Sequence, residues 1–143
     1  MARLQYGFYR DVAAYYREEL GCKQLVNATN WRTADPVLLE DVERWTYTAA
    51  DVAAINRYTG GIHSGPMNGW RIDPNHFFLS QSNLLKPDEF PGALKQTLGQ
   101  PMLITEVSWT SPSLYQAEGP IMAAAYMSLT GVDSFYWFAF GDE

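Results

Sequence analysis

The sequence predicts an α/β fold in which helices alternate with parallel strands. Three observations carry that prediction. Apolar residues recur at helical spacing in several stretches, short apolar runs of strand length alternate with those stretches, and no tight-turn pair such as Asn-Gly joins one strand to the next. Alternation of this kind implies a parallel sheet with helical crossovers.

The elements follow in order. Phe8, Val12, Tyr15 or Tyr16 and Leu20 share a helical stripe, and Gly21 supplies a stop. Lys23–Ala28 (KQLVNA) reads as a first strand. Asp35 is placed to N-cap a helix with Pro36 in its first turn and Val37, Leu38, Val42 and Trp45 as its apolar positions. Asp51–Tyr58 (DVAAINRY) is a second strand. The polar stretch from Thr59 to about Gln81 contains Asn68–Gly69 and is long enough to be either functional or poorly ordered. A helix is expected near Pro87–Leu98, closed by Gly99. Pro101–Glu106 (PMLITE) has the nearly continuous apolar run of a strand buried on both faces. Leu114–Leu129 is a further helix that Pro120 starts or kinks and Gly131 ends, and Val132–Phe140 (VDSFYWFAF) is the fourth strand.

Composition narrows the function classes. The chain has 143 residues, enough for one domain, and 47% of them are hydrophobic, enough for a sizeable core. Ten Lys and Arg and a net charge of -6 argue against a nucleic-acid partner, whose phosphates call for clustered cations. No apolar run reaches the roughly 18 residues of a membrane span, and Met1–Gln5 has no signal-peptide core, so no membrane partner is expected and the compartment stays open. Cys22 is the single cysteine and is expected to pack as a small apolar side chain. Neither G-x-G-x-x-G nor G-x-x-x-x-G-K-[ST] occurs, which removes the nucleotide-binding readings, and no cofactor is expected. Aromatic residues make up 15%, with five Trp and nine Tyr, a supply suited to stacking on sugar rings but equally to cores and interfaces.

In parallel α/β folds the chemistry collects at the C-terminal ends of strands. Those ends hold Thr29, Asn30 and Trp31; Asn56, Arg57 and Tyr58; Thr105, Glu106, Ser108 and Trp109; and Trp137, Phe138 and Phe140. Glu106 closes an apolar run, where an unpartnered carboxylate is costly, so it calls for either a function or an ion pair with Arg57 or Arg71. Asp51 and Asp133 stand at strand beginnings and read as structural. Asp142 and Glu143 follow the last strand. His63 and His76 share one loop without nearby Cys or acidic ligands, a weak metal pattern, so no metal is expected. Asn27-Ala28-Thr29 is a glycosylation sequon, discounted because it falls in a strand expected to be buried. Trp70 is open to sugar stacking or to loop packing, and Tyr9, Tyr15 and Tyr16 are expected to pack.

Four segments resemble clan A glycoside hydrolases, the retaining (β/α)8 barrel enzymes. ITEVSW (Ile104–Trp109) looks like their seventh strand, DVAAINRYTGG (Asp51–Gly61) like the sixth, and SLTGVDSFYWFAF (Ser128–Phe140) like the end of helix seven with strand eight. YYREELGCKQLVNATNW (Tyr15–Trp31) is similar to helix four and strand five of large barrels of the beta-galactosidase and agarase type. The resemblance spans nearly the whole chain in the right order. It implies half of a TIM barrel, four parallel strands with crossover helices, filling residues 1–143. Glu106 would be the nucleophile, Tyr58 its orienting phenol and Trp137 the platform under the sugar. Asn30, Trp31, Asn56, His63 and Trp109 would contact an oligo- or polysaccharide.

Two departures from the clan bear on function. Asn56 stands where the clan often has His, two places before the Tyr. The clan's acid/base Glu lies at the end of strand four in an Asn-Glu pair, and that dipeptide does not occur here. A closed barrel has eight strands in typically about 250 residues, so a four-strand chain that opens on a helix and stops after a strand is expected to be cut from a larger fold. Retaining hydrolysis needs two carboxyl groups roughly 5–5.5 Å apart. Carrying one of them, the chain is expected to be inactive alone, or instead to be a non-catalytic half-barrel that binds sugar weakly or self-associates. Open sheet edges favour a homo-oligomer or a complementing half-barrel as partner.

Overall fold

The computed structural model describes residues 1–35, 37–90 and 95–139. Pro36, part of the predicted helix over 87–98, and Phe140, Asp142 and Glu143 lie outside the described residues. Three helices, α1 (Ala2–Glu18), α2 (Glu40–Tyr47) and α3 (Glu118–Thr130), alternate with strands β1 (Ala53–Asn56), β4 (Met102–Val107) and β5 (Ser134–Trp137). These strands form one parallel sheet in the order β1-β4-β5. The α/β class is as the alternation predicts, but three parallel strands stand where four were expected.

The missing member is the predicted first strand over 23–28. It makes a single parallel bridge, Asn27 to Val52. Val26 O accepts from both Asp51 N and Val52 N, and side chains take other hydrogen bonds that a ladder would need. Asp51 accepts from Val26 N at 2.8 Å and also from Arg17, while Arg17 donates to the carbonyls of Cys22 and Gln24. Lys23 N bonds the Gln24 side chain, which also accepts from Cys22 Sγ. An apolar pattern without a continuous partner yields a tethered segment instead of a strand. Asn27 is consequently exposed, so the sequon does not lie in a buried strand.

The chain divides into two compact units, each described by itself. The first comprises Met1–Asn56, Lys95–Thr105 and Val132–Phe135. All four β1 residues are buried, together with Val52, Met102, Ile104 and Val132, as the apolar runs dictate. Asp133 accepts from Met102 N at 2.8 Å, and Gln100 donates to the carbonyls of Tyr47 and Ala50, so polar side chains close the sheet's start. The helix stop at Gly21 adopts φ +64, and Cys22 N returns to Tyr16 O at 2.8 Å.

Two expectations about this unit's helices change. Asp35 caps as predicted, accepting from Val37 N and Leu38 N, but it caps a turn, and α2 proper begins at Glu40. The face of α2 that is buried is Glu43, Arg44, Thr46 and Tyr47, whereas Val37, Leu38, Val42 and Trp45 are exposed. Buried hydrogen bonding decides this: Glu43 accepts from Thr33 N, Thr33 Oγ1 and Ala34 N. Trp45 instead stacks on Tyr6 of α1, rings 4.7 Å apart and 16° from parallel. Helix α1 buries no residue completely, and Tyr15 and Tyr16, expected to pack, are exposed.

The second unit comprises Arg57–Leu94, Glu106–Gly131 and Tyr136–Glu143. Its core gathers Phe90, Val107, Trp109, Met122 and Ala123. Phe90 touches the rings of Trp109 and Tyr126. Helix α3 starts at Glu118 with Pro120 in its first turn, where no backbone donor is lost, and Gly131 ends it with φ +72. Upstream of the core, two short 3-10 turns, Asn83–Leu85 and Pro87–Glu89, replace the start of the helix expected near Pro87. The loop from Thr59 is held by a small antiparallel pair, β2 (His63–Ser64) with β3 (Phe77–Phe78), which the sequence did not signal.

Candidate functional site

The second unit brings Tyr58 and Glu106 together. Backbone bonds fix the register: Arg57 N donates to Glu106 O at 2.8 Å and Thr59 N to Ser108 O at 3.0 Å. In that register the Tyr58 hydroxyl donates to Glu106 Oε2 at 2.6 Å. Both side chains are half-buried. Burial pushes the Tyr58 phenol up, and the bond to Glu106 with its negative charge pushes it further. Tyr58 is therefore a proton donor throughout the neutral range. Arg71, one of the cations considered as a partner for Glu106, bonds Asp73.

The aromatic beside this pair is Phe138, edge-on to Tyr58 at 6.3 Å and 88°, and 56% exposed. Trp137, the residue matched to the sugar platform, packs against Trp109, ring centroids 5.8 Å apart. Gly119 explains how both indoles fit: an added Cβ there would lie 2.8 Å from each. Trp109 is buried, and its Nε1 has no hydrogen-bond partner among the described residues.

His63 organises its loop. Its Nδ1 faces Gly61 O at 2.6 Å and its Nε2 faces Gly69 O at 3.1 Å, so whichever nitrogen carries the proton in the neutral ring donates to backbone. The ring stacks on His76 at 5.6 Å, and His76 in turn accepts from Asp73 N and bonds Pro66 O. Gly65 is required here because any Cβ would overlap the His76 ring. Among the described residues no group of three or more His, Cys, Asp and Glu could hold a metal.

The first unit holds the remaining sequence-derived residues. Asn56 is buried and accepts from Thr105 Oγ1 at 2.6 Å, and its Nδ2 has no hydrogen-bond partner among the described residues. Asn30 contributes its carbonyl to Asn56 N at 2.6 Å. Trp31 is 46% exposed.

A cleft of about 870 Å³ also belongs to the second unit, with walls from residues 70–76 and 108–112 and from Phe138. Trp109 and Trp70, both open to sugar contact in the sequence, line it, as do Ser108 and Phe138 from the predicted strand ends. Thr110 and Gln116 line it too, and no sequence motif marked them. No helix among the described residues is long and apolar enough to cross a membrane. Comparison with protein families, with curated proteins and with solved structures finds no match.

Proposed function

We propose that the chain is the strand-five to strand-eight half of a retaining glycoside hydrolase barrel, with Glu106 as its nucleophile. The observation that carries this reading is the 2.6 Å hydrogen bond from Tyr58 to Glu106 Oε2 at the end of a strand whose core residues are buried. A phenol fixed on one oxygen orients the carboxylate and leaves Oε1 to attack. In the reaction Oε1 bonds the anomeric carbon as the bond from that carbon to the leaving oxygen breaks. Water later returns the sugar and regenerates the carboxylate. The leaving oxygen needs a proton, and general-acid help of this kind is typically worth about 10²–10⁴ in rate. The acid would come from a carboxyl group of the remainder of the barrel or of a partner chain, so the chain by itself turns over ordinary glycosides poorly or not at all. Phe138, edge-on to Tyr58, is the aromatic contact that a sugar at this centre could use, with Trp109 and Trp137 as aromatic backing.

The test is covalent labelling. A 2-deoxy-2-fluoro glycoside with a dinitrophenolate leaving group needs no acid, so it should add one sugar mass to the chain and none to Glu106→Gln. Equal labelling of both, or none with any of several sugars, would sink the nucleophile reading.

A second reading, a half-barrel that self-associates, is favoured by surface: α1 and its continuation expose Leu4, Phe8, Tyr15 and Leu20. Light scattering separates the two, since a homodimer or complementing half-barrel raises the mass and a stable compact monomer rejects this reading.

A further inference from the structure

The 870 Å³ cleft lies toward the upper end of small-molecule sites, roughly 300–1,000 Å³. Neither Glu106 nor Tyr58 lines it. Phe138 links the two places: it lines the cleft and touches Tyr58 edge-on. The cleft therefore adjoins the Glu106 centre without containing it, and it offers room for several sugar rings.

Its walls restrict what can fill it. Trp70, 95% exposed, and Phe138, 56% exposed, present aromatic faces. Thr110, Ser111, Asn75 and Gln116 stand among them with groups that donate and accept hydrogen bonds. An apolar ligand would strip water from those groups without replacing it. An anionic ligand would need cations, but the cleft's Arg71 is neutralised by Asp73 at 2.5 Å, and the chain carries a net charge of -6. Trp109 lines the cleft with its residue 95% buried, so it forms part of the wall that the exposed rings stand on.

We propose that this cleft binds a neutral, extended oligosaccharide, holding rings remote from the bond at Glu106, so that the substrate is a neutral polysaccharide chain and not a single-sugar glycoside. The substrate assignment rests on the glycoside hydrolase reading; the binding assignment does not. Aromatic faces take the C–H faces of successive rings and the hydroxyl and amide groups take their rims. Affinity then grows with chain length.

The experiment is titration calorimetry on the Glu106→Gln chain with xylo-, manno-, cello-, laminari- and agaro-oligosaccharides of one to six rings, and with alginate and sulfated carrageenan oligomers as acidic arms. One neutral series is expected to gain about tenfold or more in affinity between two and four rings, with no binding of its monosaccharide. Trp70→Ala, at an exposed position that leaves the fold intact, should lose about tenfold or more of that affinity. Failure of every neutral series, equal or tighter binding of the acidic oligomers, or an unchanged affinity in Trp70→Ala overturns the proposal. The two readings fail separately: length-dependent binding without fluoro-sugar labelling removes the nucleophile and keeps the cleft, and labelling with no length dependence does the reverse.

Discussion

The Tyr58 hydroxyl reaches Glu106 Oε2 at 2.6 Å although 48 residues separate the two in sequence. A hydrogen bond to a charged acceptor contributes about 1.5–3 kcal/mol. Tyr58→Phe removes it and keeps the ring against Phe138. Fluoro-sugar labelling of Glu106 is expected to slow roughly 10- to 100-fold, with little change in Tm. An unchanged labelling rate would mean that the phenol does not orient the carboxylate.

Gly119 sits where a Cβ would meet Trp109 and Trp137 at 2.8 Å. Gly119→Ala therefore overpacks the aromatic core of the second unit, at a cost of about 1–3 kcal/mol. Near-UV circular dichroism from the two indoles should change, and the urea midpoint should fall. A helix-stabilising gain, the usual result of Gly to Ala in a helix, would contradict the packing described.

Glu43 yields a pH prediction. Burial alone would push its carboxyl up, but hydrogen bonds from Thr33, Ala34 and Tyr47 outweigh burial and hold it below the usual carboxylate range. A folded value below the unfolded value of about 4.3 contributes stability above that pH, and the contribution is lost as pH falls through the folded value. Acid unfolding should therefore steepen below about pH 4. Glu43→Gln should flatten that limb and lower neutral-pH stability by roughly 1–3 kcal/mol. Parallel pH profiles for the two proteins would refute it.

His63 ties Gly61 and Gly69 together across its loop. A neutral imidazole donates to one of the two carbonyls, so His63→Ala removes one bond contributing about 1 kcal/mol, the packing against the other carbonyl, and the stack on His76. Limited proteolysis between residues 59 and 81 should accelerate about tenfold or more. Cleavage elsewhere first would show that the loop is held by other means.

Much of this structure was legible because local and tertiary demands agree. Met102-Leu103-Ile104 is apolar without interruption and becomes a central strand; Gly131 follows an apolar helix and ends it. Where they disagree the sequence misleads. Val26 sits in an apolar run, yet its N–H goes to the Asp51 side chain and its carbonyl takes both Asp51 N and Val52 N, so no regular ladder extends there. The apolar stripe of α2 is outside because Glu43 is needed inside to satisfy Thr33 and Ala34. Glu106 and Tyr58 were readable from their strand-end positions. Phe138 was not singled out, because which of two adjacent aromatics faces Tyr58 depends on β5's twist and on the room Gly119 leaves for Trp137.

The Asp51 carboxylate, bonded at once to Arg17 and to Val26 N, joins the end of α1, the tethered segment and the approach to β1 at one point. Segments fastened through one shared acceptor cannot fray one at a time. In hydrogen exchange, the amides of Val26, Asp51 and Cys22 should open in unison, with a single protection factor, so that the helix end and the sheet edge behave as one cooperative block.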